Sequence, residues 1–299
     1  MRIASLVPSG TDLVHALGLG DALVAVSHEC DHPGAADRPV VTRSGIPFAG
    51  APGGEAPGAV DAAVRAALEA GDALYHTDHA RLAELAPDVI VGQDICDVCA
   101  VQPDAACLPA GATLLTLSAT TLAGLEDDLR RLGEALEAEA TATRVVDRLQ
   151  AGLEAVRTRA SGRPRVRALT LEWADPPFVG GHWVPELVAL AGGEDVLGAA
   201  GTPSRSVGWE AVRESAPDVV VHLPCGYGLD AASEEAASLA AGPLASLQAP
   251  IWAVDANRLF SRCTPEAALL GAQTLEAVFA GRESPHARPV RRAGARKTS

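Results

Sequence analysis

The cysteines of this chain stand where soft ligands or nucleophiles have a use. Cys96 and Cys99 are two residues apart in Gln93-Asp94-Ile95-Cys96-Asp97-Val98-Cys99-Ala100, just after the apolar run ending at Val91. That gap lets both sulfurs turn toward one ion, and thiolates suit zinc or an iron–sulfur cluster. Cys30 follows the run ending at Val26, and Cys225 follows the run ending at Leu223. The spacing therefore predicts a metal set of Cys30, Cys96, Cys99 and Cys225, holding a [4Fe–4S] cluster or zinc. Packed inert thiols and a redox pair are the competing readings. Cys263 lies a few residues past another strand, and Cys107 falls outside the pattern.

A second constellation is Glu172-Trp173-Ala174-Asp175-Pro176-Pro177-Phe178-Val179-Gly180-Gly181-His182-Trp183. Its tryptophans can grip a flat ligand by stacking, with Glu172 and His182 as polar anchors. Glu172 and His182 also have the chemistry for acid–base work. A structural loop with Trp as filler is the plainer reading. The ligand-binding candidates are His28, Glu29, Arg43, Gln93, Glu172, Trp173, Asp175, His182, Trp183 and Tyr227. No Walker motif, G-x-G-x-x-G, G-x-S-x-G or H-E-x-x-H occurs.

Strands must place these residues, because ligands of open parallel sheets meet the loops at the strands' carboxyl ends. The pattern predicts strands over 3–7, 22–26, 87–91, 114–117, 166–171, 219–223 and 251–254. Helices are expected over 12–17, with Ser9 or Thr11 as N-cap, and over 61–69, 185–191 and 266–280. The longest helical pattern runs over 122–160. Leu122, Leu125, Leu129, Leu132 and Leu136 recur on one face, then Val145, Val146, Leu149, Leu153 and Val156. Ala86-Pro87-Asp88-Val89-Ile90-Val91 returns as Ala216-Pro217-Asp218-Val219-Val220-Val221. The expected architecture is α/β, with two Rossmann-like lobes joined by one long helix and a ligand cleft between them. The boundaries are 1–120 for the first lobe, 121–162 for the helix, 163–281 for the second lobe and 282–299 for a disordered basic tail.

The chain has 299 residues and a net charge of −14. That charge argues against nucleic acid as a partner. No 18-residue apolar stretch appears, so no membrane span is expected. Ile3-Ala4-Ser5-Leu6-Val7 is too short for a signal-peptide core, which predicts a cytoplasmic protein with reduced thiols.

Several motifs carry a resemblance. Arg2-Ile3-Ala4-Ser5-Leu6-Val7-Pro8-Ser9 and Leu17-Gly18-Leu19-Gly20-Asp21 resemble the start of the cobalamin- and siderophore-binding substrate-binding proteins of ABC importers (the periplasmic class with a helical backbone). His28-Glu29-Cys30-Asp31, the Cys96/Cys99 segment, Gly181-His182-Trp183-Val184-Pro185-Glu186 and Pro224-Cys225-Gly226 resemble a thiol-rich branch labelled cobalamin-binding. The branch usually has proline where Cys263 stands. The resemblance implies two lobes bridged by a helix and a bulky ligand between them, such as cobalamin, haem, a siderophore or a metal chelate. The expectation is a cytoplasmic binding protein whose cleft cysteines hold a metal. An iron–sulfur or zinc enzyme on the same fold is one alternative. The other is an exported importer subunit, which alone would have an ABC permease as partner.

Overall fold

The computed structural model describes residues 1–46, 59–95 and 108–291, which divide into two units. The first takes in 1–46, 59–95, 108–119 and 123–148. Its elements are β1 (Ile3–Ser5), α1 (Pro8–Ala16), β2 (Leu23–Ala25), β3 (Thr42–Ser44), α2 (Ala59–Ala70), β4 (Tyr75–Thr77), α3 (His79–Leu85), β5 (Val89–Gln93), β6 (Thr113–Leu117), α4 (Leu122–Ala135) and the start of α5 (Glu139–Ala160). The sheet is all parallel in the order β2-β1-β5-β6, and β3 and β4 pair separately and antiparallel. Ile3, Ala4, Leu23, Ala25, Ile90 and Val91 are wholly buried. Such strands are covered on both faces, so they read as continuous apolar runs.

The first helix differs from its sequence expectation. It starts at Pro8, with Val7 in the N-cap position and no side-chain cap. Proline is preset for the first helical position, so the helix begins before the expected N-cap residues Ser9 and Thr11. Ser9 and Thr11 are consequently buried inside α1. Gly10 makes the close approach possible: a Cβ there would lie 2.7 Å from Ser5 Oγ and 2.8 Å from Val91 Cγ1.

The 122–160 periodicity also resolves differently, into α4 and α5. The apolar stripe continues through Leu136, but Glu137 takes a left-handed φ of 55°. The Ala138 N–H then closes the turn on Gly133 O at 2.7 Å. A Cβ on Gly133 would sit 2.5 Å from Ala142 Cβ, so this glycine lets the two helices meet. The 22-residue α5 begins in the first unit and ends in the second.

The second unit, residues 120–122 and 149–291, adds β7 (Val166–Ala174), β8 (Pro177–Val179), α6 (Val184–Leu190), β9 (Gly193–Asp195), β10 (Arg205–Ser206), α7 (Trp209–Glu214), β11 (Val219–His222), α8 (Leu229–Ala241), β12 (Ile251–Val254), α9 (Ala256–Leu259), α10 (Pro265–Phe279) and β13 (Ala287–Pro289). The sheet order is β10-β8-β7-β11-β12-β13, with β9 also on β7. β7, β11 and β12 run parallel. β13 corrects the expectation of a wholly disordered tail from 282. It pairs antiparallel with β12, and Pro289 is tolerated because this is an edge strand.

The two Ala-Pro-Asp segments do the same work in both units. Ala86 and Ala216 each end a helix in the left-handed region, at φ 41° and 42°. Asp88 Oδ2 accepts the Arg2 N–H at 2.7 Å, and Asp218 Oδ2 accepts the Arg167 N–H at 2.9 Å. The Arg2 guanidinium donates to Leu85 O and that of Arg167 to Ser215 O, both at 2.7 Å. Each aspartate thus ties β5 to β1, or β11 to β7, at the amino end. The chemistry-bearing loops are left at the other end. Among the described residues no helix is long and apolar enough to cross a membrane.

Candidate functional site

In the first unit, His28 follows β2 at the carboxyl edge of the sheet. Its backbone N–H donates to Thr42 Oγ1 at 2.9 Å, and its Nδ1 lies 2.7 Å from the same oxygen. The His28 ring is 5.9 Å from that of Tyr75, tilted by 49°. Burial lowers the His28 pKa, so the ring is neutral at neutral pH. Ser27 Oγ, itself buried, accepts the Glu29 N–H at 3.2 Å, and Ser27 O accepts the Cys30 N–H at 3.1 Å. Glu29 is exposed and Cys30 half-buried. Arg43 is exposed on β3 opposite His76, on the face away from buried Thr42. Gln93 ends β5, half-buried, beside Leu117. Cys96, Cys99 and Cys107 lie outside the described residues.

In the second unit, the ends of β7 and β11 come together. Trp173 and Tyr227 meet edge to face, with centroids 5.9 Å apart and planes at 86°. The Cys225 N–H donates to Glu172 O at 3.2 Å, Gly226 N–H to Ser261 Oγ at 2.8 Å, and Asn257 N–H to Tyr227 O at 2.9 Å. These bonds fix the loop that presents the exposed Cys225. Asp175 is also exposed.

The Glu172 carboxylate is engaged at both oxygens. Oε1 accepts the Gly181 N–H at 3.0 Å, and Oε2 accepts a short hydrogen bond from Ser204 Oγ. The Gly181 backbone presses on residues 203–204: a Cβ there would lie 2.3 Å from Ser204 N. His182 next to it holds a left-handed φ of 50°, a strain of about 1–3 kcal/mol for a non-glycine residue. Two bonds hold it there, His182 N–H to Thr202 O at 2.6 Å and Gly201 N–H to His182 O at 2.8 Å. Burial lowers the His182 pKa. Its Nε2 and the Nε1 of the buried Trp183 are enclosed without a hydrogen-bond partner.

Thus Glu172, Trp173, Cys225 and Tyr227 share one loop cluster, with His182 and Trp183 attached through Glu172. His28, Glu29 and Cys30 share another. Thr42, Tyr75 and Ser204 were not among the candidates. Thr42 has a local signal, because strand alternation next to Arg43 puts it on the buried face. Ser204 has none, lying 32 residues from Glu172. Among the described residues no group of three or more His, Cys, Asp or Glu side chains is placed to hold a metal ion. Cys30 belongs to the first unit and Cys225 to the second.

A family model described as "Periplasmic binding protein" matches residues 3–254. No curated protein matches the chain. Among solved structures, the periplasmic vitamin B12 binding protein BtuF of Vibrio cholerae is 22% identical, covering 94% of this chain and 98% of its own, with a TM-score of 0.63. A periplasmic heme binding protein from Pseudomonas aeruginosa is 23% identical over 98% and 99%, with a TM-score of 0.65. A periplasmic binding protein from Veillonella parvula dsm 2008 is 17% identical over 95% and 92%, with a TM-score of 0.68. At these identities the structures speak for the fold. The family match overturns the expectation of a cytoplasmic binding protein, because the matched family is periplasmic. The apolar run Ile3–Val7, expected as a strand, is buried and contains β1 (Ile3–Ser5).

Proposed function

The chain belongs to the periplasmic binding protein family, and on that premise we propose that it is the substrate-binding component of an ABC importer, taking a bulky, flat, macrocyclic cofactor of the corrinoid or haem class. The observation that carries this reading is the Trp173–Tyr227 pair at the joined carboxyl ends of β7 and β11. Tyr227 is buried in the core and braces the half-buried Trp173, whose ring is offered to a planar ligand, a stack worth about 0.5–1.5 kcal/mol beyond the area it buries. The neutral His28 beside Tyr75 supplies a comparable mixture in the first unit. The similar folds of a vitamin B12 binding protein and a heme binding protein support the ligand class. The partner in this reading is the permease of the importer.

The reading is tested by titrating the purified chain with hydroxocobalamin and, separately, haemin, followed by quenching of tryptophan emission. All four tryptophans, at 173, 183, 209 and 252, lie in the second unit. Saturable binding to one compound is expected, weakened about tenfold or more by Trp173→Ala, which is about 1.4 kcal/mol. No binding of either compound at about 100 µM, a level weaker than about −5.5 kcal/mol, defeats the ligand assignment.

A further inference from the structure

His15, in the last turn of α1, stacks on His32 with ring centroids 3.8 Å apart and planes 14° from parallel. The stack is built in closely. A Cβ on Gly20 would lie 2.3 Å from His15 Nδ1 and Cε1, and one on Gly34 would lie 2.7 Å from Cε1. His32 is held in turn, because its Nδ1 accepts the Gly34 N–H at 3.1 Å. His15 Nε2 is enclosed and has no hydrogen-bond partner.

The stack joins α1 to the middle of the 27–41 loop. That loop closes on itself through Ala35 N–H to His32 O at 2.9 Å, Arg38 N–H to Ala35 O at 3.0 Å and Val41 N–H to Val26 O at 3.1 Å. It includes His28, Glu29 and Cys30, the candidate cluster of the first unit.

We propose that the His15–His32 stack is an acid-sensitive latch, docking the 27–41 loop on α1 at neutral pH and releasing it in mild acid. A proton on His15 creates an enclosed N–H donor at Nε2 with no acceptor, which costs more for a cation than for a neutral group. The charged and titratable groups facing His15 are His32 and Arg38 from the loop and Asp21 from the turn after α1. Two of these oppose a positive charge and only Asp21 favours it. Burial is the larger effect and, with His32 and Arg38, lowers the His15 pKa. The folded loop therefore favours neutral His15. Stability of the docked state is full above the ordinary imidazole range and is lost as pH falls through the folded pKa. The latch is independent of which ligand the protein takes.

The test is amide hydrogen exchange of the full chain at about pH 7.5 and about pH 5, bracketing the imidazole range and corrected for intrinsic rates. Protection at Ala35, Arg38 and Val41 is expected to fall several-fold in acid while that at Val220 and Leu223 holds. His15→Phe keeps a ring in the stack but takes no proton, so its loop protection should not depend on pH. Equal protection at both pH values in the unsubstituted chain, or the same acid loss in His15→Phe, overturns the latch. If His15→Phe fails to fold, NMR titration of the His15 ring in the unsubstituted chain decides. A midpoint below the ordinary imidazole value that tracks the loss of protection supports the latch, and any other midpoint refutes it.

Discussion

Glu172 carries the sharpest prediction, because a catalytic acid or base and a positioning anchor respond differently to one substitution. The structure makes it an anchor: one oxygen takes the Gly181 N–H and the other the Ser204 hydroxyl. Bonds to a charged acceptor contribute about 1.5–3 kcal/mol each, and the half-exposure of Glu172 argues for the lower value. Glu172→Ala should then cost about 3 kcal/mol. Glu172→Gln keeps the length and both polar atoms, with the Ser204 hydroxyl turning from donor to acceptor. It exchanges charged bonds for neutral ones and should cost about 1 kcal/mol. Urea unfolding followed by tryptophan emission reports the second unit, where all four tryptophans lie. With an m-value of about 3 kcal/mol/M, the midpoints should drop by about 1 M and about 0.3 M. Ser204→Ala in the Glu172→Ala background should add less than about 0.5 kcal/mol, because the two groups share one bond. Equal losses for Glu172→Gln and Glu172→Ala would refute the anchor. So would a Glu172→Gln protein of near-normal stability that no longer binds the ligand, since then the charge itself acts on it.

Three further outcomes follow from the same geometry. Asp88→Ala and Asp218→Ala remove equivalent backbone bonds, so each should cost about 1 kcal/mol. Circular dichroism during urea unfolding should find the two within about 0.5 kcal/mol of each other, and a large inequality would break the equivalence of the two motifs. Gly181→Ala drives a Cβ to 2.3 Å from Ser204 N and 2.7 Å from Pro203 C; both are backbone atoms, so a loss of about 1–3 kcal/mol is expected and an unchanged urea midpoint contradicts it. Burial raises the Glu276 pKa, but hydrogen bonds and charge from Arg163 and Arg282 outweigh it, and the net shift is down. A depressed carboxylate stabilises the fold above its unfolded pKa and loses that contribution as pH falls through the folded one. Glu276→Gln should accordingly cost stability at neutral pH and flatten the acid limb below about pH 4.5, and a parallel acid limb would reject the role of the arginines.

What the sequence made legible here follows the range over which each interaction acts. The Ala-Pro-Asp repeat was readable because its turn and its aspartate sit within a few residues of the strand it precedes. Its far partners, Arg2 and Arg167, lie at the starts of the two strands it ties down. The two-unit α/β organisation follows from that repeat and from the helical stripe between the copies. The stripe hid the break after Ala135 because Leu136 stays buried and the residue that turns left-handed is Glu137, where a glycine would have signalled the turn. The site was legible as loops and illegible as contacts. Glu172, Trp173, Cys225 and Tyr227 could be placed at strand ends by counting. Nothing in their spacing tells that Glu172 spends its carboxylate on Gly181 and Ser204, a contact set by how far β7 and the 201–204 segment are folded back on each other. The same holds for His28: its partner Thr42 lies 14 residues away across a loop whose closure depends on backbone bonds from Val26 to Pro39 and from Val41 to Val26. Cysteine spacing has a related limit. Placement after a strand brings a thiol to an edge of its own sheet, and in the described residues Cys30 and Cys225 follow strands of different sheets. A metal needs several donors within a few ångströms of one point. Position along the chain fixes which edge a donor reaches, and only the tertiary fold fixes whether donors on separate edges share that point.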